Sequence, residues 1–172
     1  MNAPEVQVRQ LLTADATLFR EIRLESLQCN PEAYTSSYED ERSEPLSVFE
    51  DELQKSTIFG AFQGDELLGI AALSAQQGSR KAHKGILWAV YVRANARNIG
   101  VGRKLIAEII AFAKGRFDLI QLNVNTLNQA ARRLYETFGF RQYGIEKCAV
   151  KDKDAYTDNV LMVNLLKAGI AE

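Results

Sequence analysis

The chain has 172 residues, of which 47% are hydrophobic and 25% charged, and its net charge is −1. This length predicts a single domain over residues 1–172, large enough to bury a core without disulfides or a metal. The near-neutral charge argues against a general nucleic-acid binder, which needs a broad basic face.

The N-terminal third predicts a strand, two helices and a polar connection between them. Residues 6–12 carry the apolar alternation of a strand, and Thr13 is placed to cap a helix that stops at Asn30-Pro31. Residues 45–55 predict the second helix. The connection, residues 33–43, is polar and contains two tyrosines.

Three strands follow, at residues 57–62, 67–73 and 86–92. Residues 63–66 have a turn composition, which predicts a hairpin between the first two. We therefore expect three adjacent antiparallel strands. With the N-terminal strand, the strand at residues 86–92 is the fourth in the chain.

The fourth strand leads into Arg97-x-x-Gly100-x-Gly102 and then an amphipathic helix that stops at Gly115. The first turn of a helix carries free backbone N–H groups and partial positive charge. The two glycines admit a phosphate, and Arg103 and Lys104 add positive charge with Arg97. We expect a pyrophosphate-bearing ligand along this loop, at Arg97, Asn98, Ile99, Gly100, Val101, Gly102 and Arg103.

The remaining elements are a strand, a helix and a hairpin. Residues 119–124 predict a fifth strand, parallel to the fourth because a helix connects the two. Asn128 is placed to cap the next helix, which contains Tyr135 and stops at Gly139. Two strands, the first at residues 140–150 and the second ending near Leu165, form the hairpin.

Two of these segments resemble motifs of the GCN5-related N-acetyltransferase (GNAT) family. Arg97-x-x-Gly100-x-Gly102 is similar to its acetyl-coenzyme A loop, and residues 128–140 match its Asn-x-x-Ala-x-x-Leu-Tyr-x-x-x-Gly-Phe pattern. The resemblance implies an α/β (α+β) fold with a mixed, mostly antiparallel sheet of about six to seven strands and about four flanking helices. This sheet is splayed between its fourth and fifth strands.

The resemblance also implies an acetyl-CoA-dependent N-acetyltransferase that moves the acetyl group directly to a primary amine in a ternary complex. The acceptor would be a small molecule or a peptide or protein amino group. Pantetheine would pair with the backbone of Val90, Tyr91 and Val92, and one of these N–H groups would hold the developing oxyanion. Asn128 would bind the cofactor, and Tyr135 would bind it and act as a catalytic residue beside the thioester sulfur.

The resemblance places the acceptor beside the connection between the first two helices. The acceptor-pocket residues would be Tyr34, Ser36, Ser37, Tyr38 and Glu39, with Trp88 as a further wall. The general base stays open, because residues 85–91 contain no acid. Glu39, Glu41 and His83 are the alternatives, acting directly or through water. The missing acid also leaves a second function open, a CoA-binding regulatory module without turnover.

The cysteine content and the apolar runs indicate the cellular compartment of the protein. Cys29 and Cys148 are distant and lack metal-ligand spacing, which predicts free thiols, a reducing compartment and no metal site. No apolar run is long enough to be a signal core or to span a bilayer, so we expect a cytoplasmic protein without a membrane partner. An edge strand near the C-terminus would allow a homodimer.

Overall fold

A computed structural model describes residues 5–170, in which seven strands form one sheet in the order β1-β2-β3-β4-β5-β7-β6. The strands are β1 (Gln7–Gln10), β2 (Thr57–Gln63), β3 (Glu66–Ala75), β4 (Lys84–Val92), β5 (Leu119–Asn125), β6 (Arg141–Asp152) and β7 (Ala155–Leu165). The α-helices are α1 (Ala16–Cys29), α2 (Tyr38–Glu41), α3 (Leu46–Lys55), α4 (Val101–Ala113) and α5 (Gln129–Thr137). The predicted mixed, mostly antiparallel sheet is confirmed.

Strands β4 and β5 are the one parallel pair within residues 5–170. They pair over three residues, from Lys84 opposite Leu119 to Ile86 opposite Gln121, and then diverge. The two strands run toward the same end of the sheet, because α4 crosses over between them. The predicted splay between the fourth and fifth strands is therefore confirmed.

Two hydrophobic cores cover the two faces of the sheet. On one face, α4 packs against the sheet through Leu105, Ile106 and Ile109, which have no exposed surface. On the other face, α1 and α3 pack through Phe19 and Phe49, whose rings meet edge to face at 6.0 Å. Side chains of β4 therefore pack into both cores at the point where this strand leaves β5.

The N-terminal elements differ from their predictions. Strand β1 is shorter than residues 6–12, and Thr13 does not cap α1. The carboxylate of Asp15 instead accepts a hydrogen bond from the backbone N–H of Leu12 at 2.8 Å, because its ion pair with Arg9 holds it there. The predicted polar connection contains the four-residue helix α2, capped by Ser37, so the helices number five in residues 5–170 rather than about four.

The C-terminal elements follow their local signals closely. Asn128 caps α5 by accepting from the N–H of Ala131 at 3.1 Å, and Gly139 ends that helix with a φ of 87°. Strands β6 and β7 form the predicted hairpin, with β6 at the sheet edge. Both cysteines are free. Within residues 5–170, no helix has the length and apolar character that crossing a membrane requires.

Candidate active site

The gap between β4 and β5 opens into a cleft of about 1210 Å³. Its walls come from both splayed strands, the N-terminus of α4, the helix α5, and the chain from α1 to α3. A pocket for one small molecule usually has a volume of about 300–1,000 Å³. The cleft is therefore large enough for two ligands that meet in the gap.

A β-bulge in β4 lies beside this gap. Trp88 pairs with Ala72 and Tyr91 pairs with Ile70, so β4 has one more residue than β3 between these pairs. Ala89 adopts a left-handed φ of 48° at the bulge. The bulge reverses the alternation of side chains, so that Trp88 and Ala89 both pack toward α1.

The loop before α4 forms a concave backbone site. Gly100 has a φ of 87°, and its carbonyl accepts the first helical hydrogen bond from the N–H of Lys104 at 3.0 Å. The N–H groups of Val101, Gly102 and Arg103 therefore have no acceptor in the helix. A Cβ at Gly102 would lie 3.2 Å from the Cδ2 atom of Leu134, so α5 packs closely here, whereas a Cβ at Gly100 would meet no atom within 4 Å.

The basic residues around this loop differ in whether they line the cleft. The Nε of Arg97 donates to the carbonyl of Val92 at 3.1 Å, and Arg97 and Arg103 both line the cleft. Lys104 does not, because its Nζ donates to the carbonyl of Val6 at 2.8 Å. The side chain of Ile99 is 58% exposed and lies outside the cleft wall. Two arginines thus supply the positive charge of the loop.

Tyr135 reaches the cleft from α5. It is 6% exposed, its ring packs against Phe140 with centroids 5.8 Å apart, and it lines the gap. Its hydroxyl has no hydrogen-bond partner among residues 5–170. Burial raises the pKa of Tyr135 above its usual value, and a charge on Tyr34 would raise it further. The hydroxyl therefore stays protonated at neutral pH and is free to donate to a ligand.

The opposite side of the cleft contains an ion pair that sequence reasoning missed. Arg23, which is 6% exposed, donates from Nε and Nη2 to the two carboxylate oxygens of Glu41 at 2.9 Å and 2.7 Å. The same guanidinium lies 5.1 Å from the ring centroid of Tyr34 and 5.8 Å from that of Trp88. Because both oxygens of Glu41 are occupied, this carboxylate is poorly placed to act as a general base.

The ion pair leads to a stability prediction. We expect Glu41→Ala to lower the free energy of unfolding by about 3 kcal/mol, because it leaves the buried guanidinium of Arg23 without a counter-ion. Urea unfolding of the two proteins measures the difference. Glu39→Ala is the matched control, since Glu39 pairs with Arg42 on the surface and should contribute at most about 1 kcal/mol. Equal losses for the two variants would contradict the prediction.

A directed chain of hydrogen bonds holds Trp88. Its indole Nε1 donates to Ser74 Oγ at 2.7 Å, and the hydroxyls of Ser74 and Ser56 lie 2.8 Å apart. Ser56 in turn donates to Glu52 Oε1. The chain therefore ends on a carboxylate and fixes the orientation of the indole, which lines the cleft.

The structure gathers most of the predicted site residues in this one cleft and leaves five outside it. The residues in the cleft wall are Tyr34, Ser36, Glu41, Trp88, Val90, Tyr91, Val92, Arg97, Asn98, Gly100, Val101, Gly102, Arg103, Asn128 and Tyr135. The five outside are Ser37, Tyr38, Glu39, His83 and Ile99.

The contacts and positions of two of these five residues explain why they lie outside the cleft wall. Glu39 forms a surface ion pair with Arg42 at 2.8 Å. His83 is exposed before the paired end of β4, and at about 3.3 Å per residue this is about 20 Å from Val90. Several cleft residues carried no local sequence signal, because distant elements bring them together: Arg23, Asp40, Glu44, Glu52, Asn125 and Asn159.

A protein-family profile described as "Acetyltransferase (GNAT) family" matches residues 19–140, which include the splayed strands, the loop before α4 and α5. The chain belongs to the GNAT family. It is an N-acetyltransferase, as the family match and its relatives show. The resemblance seen in the two sequence motifs is thereby confirmed.

Individual GNAT relatives agree with this assignment. The N-alpha-acetyltransferase RimI of Mycobacterium tuberculosis is 32% identical over 117 residues, covering 66% of this chain and 72% of RimI. A GNAT-family acetyltransferase structure from Streptococcus pneumoniae has a TM-score of 0.83 at 25% identity, covering 94% of this chain and 99% of that one. A Salmonella typhimurium protein solved with its cofactor acetyl-CoA shares the fold, with a TM-score of 0.82 at 19% identity over 99% and 98% of the two chains.

Proposed function

We propose that this GNAT enzyme transfers the acetyl group of acetyl-CoA directly to a primary amine in a ternary complex. One observation carries the proposal: the loop before α4 and the unpartnered hydroxyl of Tyr135 both open into the gap between β4 and β5. The acceptor is a small molecule or a peptide or protein amino group, and the similarity to RimI favours a protein N-terminus. The activity belongs to one cytoplasmic domain, residues 1–172, that uses no metal.

The donor site fits a nucleotide-linked pyrophosphate. The free N–H groups of Val101, Gly102 and Arg103 would bind phosphate oxygens, with Arg97 beside them. The open space beside Gly100 supports this assignment, because no atom lies within 4 Å of the position that a Cβ would take there. The loop residues Asn98, Ile99 and Gly100 would contribute their backbone, and Asn128 would bind the same ligand from α5.

The reaction needs a polarised carbonyl and a stabilised thiolate. The backbone of Val90, Tyr91 and Val92 lies along the gap, where an N–H group would hold the developing oxyanion of the thioester. The cleft wall contains no cysteine and no histidine among the described residues. We therefore assign direct attack by the amine rather than an acyl-enzyme intermediate.

Tyr135 would stabilise the departing thiolate. A free thiol has a pKa of about 8.5 and tyrosine one of about 10, so complete proton transfer is uphill by about 2 kcal/mol. Burial raises the pKa of Tyr135 above its usual value, which makes the transfer more costly still. We propose that Tyr135 keeps its proton and donates a hydrogen bond to the sulfur. The thiolate then takes a proton from water, and the attacking nitrogen loses one to water.

Calorimetry with acetyl-CoA and a thiol-release assay test this function together. The assay uses polyamines, amino acids, aminoglycosides and peptides with free N-termini. Micromolar binding with amine-dependent thiol release from one class would support the enzyme and identify its acceptor. Tight binding without release would instead support a CoA-binding module, and absence of binding would overturn the assignment of residues 97–103.

A further inference from the structure

Asn159 on β7 is a buried polar residue whose side-chain amide is unused. It is 7% exposed and lines the cleft, and the amide has no hydrogen bond to any residue between 5 and 170. An asparagine amide offers two donors and one acceptor, and buried amides are normally paired. The unpaired amide of Asn159 is thus open to hydrogen bonding with a ligand in the cleft.

The residue opposite Asn159 provides a direct contrast. Asn125 on β5 faces it across the strand pair and is also buried, but its amide is occupied. Its Nδ2 donates to the carbonyl of Glu32 at 3.0 Å, and its Oδ1 accepts from the N–H of Leu127 at 2.9 Å. Directly opposite residues share a face of the sheet, so Asn159 also points toward the chain between α1 and α2. Its neighbour Val160 packs in the core on the α4 face.

We call the cleft wall from α1 to α3 the acceptor face, and it is rich in carboxylates. Four of them line it without a basic partner in the ion pairs of residues 5–170: Glu32, Asp40, Glu44 and Glu52. Arg23 lies on this face, but Glu41 neutralises it. Two further arginines of the cleft form none of these ion pairs: Arg103 lies in the first turn of α4, and Arg97 reaches the edge of the acceptor face, where its Nη2 donates to Asn30 Oδ1 at 3.4 Å. The acceptor face thus carries more carboxylates than basic side chains.

We propose that the acceptor face binds an amine carrying a second positive charge, and that the amide oxygen of Asn159 accepts a hydrogen bond from this acceptor. The inference rests on the proposed function and specifies its substrate class. A carboxylate beside the reacting amine would hold it in the unreactive ammonium form. The unpaired carboxylates are therefore assigned to the second charge, away from the thioester.

Matched acceptors test the charge requirement. One pair is 1,4-diaminobutane and n-butylamine, and a second set is the amide-capped tetrapeptides Ala-Ser-X-Ala with X as Arg, Gln or Glu. We expect kcat/KM to be about ten-fold higher for the doubly charged member, with the ratio falling as salt is added. Equal kcat/KM, or a preference for the Glu peptide, would overturn this inference and leave the proposed function intact. No thiol release with any amine would overturn both.

Two variants test where the second positive charge of the acceptor binds. Glu44 carries no side-chain hydrogen bond within residues 5–170, so Glu44→Gln should remove charge without disturbing the fold. We expect it to reduce the preference for the doubly charged acceptor several-fold. Glu50→Gln on α3 is the control, because Glu50 lies outside the cleft wall. An equal reduction in both variants would contradict a specific contact.

Asn159→Ala and Asn125→Ala test the amide. We expect Asn159→Ala to raise the KM of the acceptor about ten-fold while the acetyl-CoA affinity and thermal stability stay unchanged, because no internal hydrogen bond is lost. Asn125→Ala should instead lower thermal stability, because it leaves the carbonyl of Glu32 and the N–H of Leu127 unpaired. If Asn159→Ala weakened acetyl-CoA binding or only destabilised the fold, the assignment of Asn159 to the acceptor would be wrong.

Discussion

Gly102→Glu is expected to weaken acetyl-CoA binding by at least about 100-fold, because it places a side chain and a negative charge where the pyrophosphate would bind. The fold should survive. A carboxylate in the first turn of α4 interacts favourably with the helix dipole, and the atom nearest to the new Cβ is the flexible end of Leu134, at 3.2 Å. Calorimetry with acetyl-CoA measures the affinity, and thermal unfolding measures the stability.

Two further variants separate charge from volume in this experiment. Gly102→Ala fills the same space without charge and should weaken binding by less than about ten-fold. Ala107→Glu adds the same charge on an exposed position of α4 outside the cleft wall and should leave affinity unchanged. Unchanged affinity in Gly102→Glu would remove this loop as the phosphate site. Equal losses in both glutamate variants would attribute the effect to net charge alone.

Tyr135→Phe is expected to lower kcat about 100-fold and leave the affinity for acetyl-CoA within about two-fold of wild type. The substitution removes a donor that would act on charge developing on the sulfur, and it takes no hydrogen bond from the folded protein. Steady-state kinetics at saturating substrates and calorimetry measure the two quantities. Tyr156→Phe is the matched control, because it removes an exposed phenol outside the cleft wall. Wild-type turnover in Tyr135→Phe would remove Tyr135 from the catalytic residues.

Because the pKa of Tyr135 is raised, Tyr135→Phe should also change how the free energy of unfolding depends on pH. The folded protein holds this proton more tightly than the unfolded chain, so the resulting stability is present below pH 10 and is lost as pH rises above it. Tyr135→Phe should therefore reduce the decline in unfolding free energy above pH 10 by up to about 1.4 kcal/mol per pH unit. Urea unfolding between pH 9 and 11 tests this, and an unchanged slope would show that Tyr135 is not held protonated by burial.

Local sequence signals correctly predicted the ends of the helices and the turn before α4. Gly100, Gly115 and Gly139 all have positive φ at the ends of helices, and Asn128 caps α5 as expected. Each of these features depends on the backbone conformation of a few consecutive residues, so the residue type that favours it can be recognised in the sequence. Thr13 shows the limit of this reasoning, because the ion pair between Asp15 and Arg9 determines how α1 begins.

Contacts between distant segments could not be predicted from the sequence. Arg23 and Glu41 are 18 residues apart, and the chain of hydrogen bonds from Trp88 to Glu52 passes through Ser74 on β3 and Ser56 at the end of α3. The bulge at Ala89 also changes which side chains of β4 share a face. No periodic pattern encodes such pairings, since strand order and register decide them.

The sequence by itself determined the order of the strands and the longer helices, the loop at Arg97–Gly102 before α4 and the place of Tyr135 on the following helix, because each rests on local backbone geometry and spacing. Only the tertiary structure decided which carboxylates share the cleft, that Glu41 is occupied by Arg23, and that Asn159 is free while Asn125 is not. The two asparagines have the same side chain and are both buried. They differ because Asn125 finds backbone partners in Glu32, between α1 and α2, and in Leu127, just after β5, whereas the amide of Asn159 faces the cleft without one.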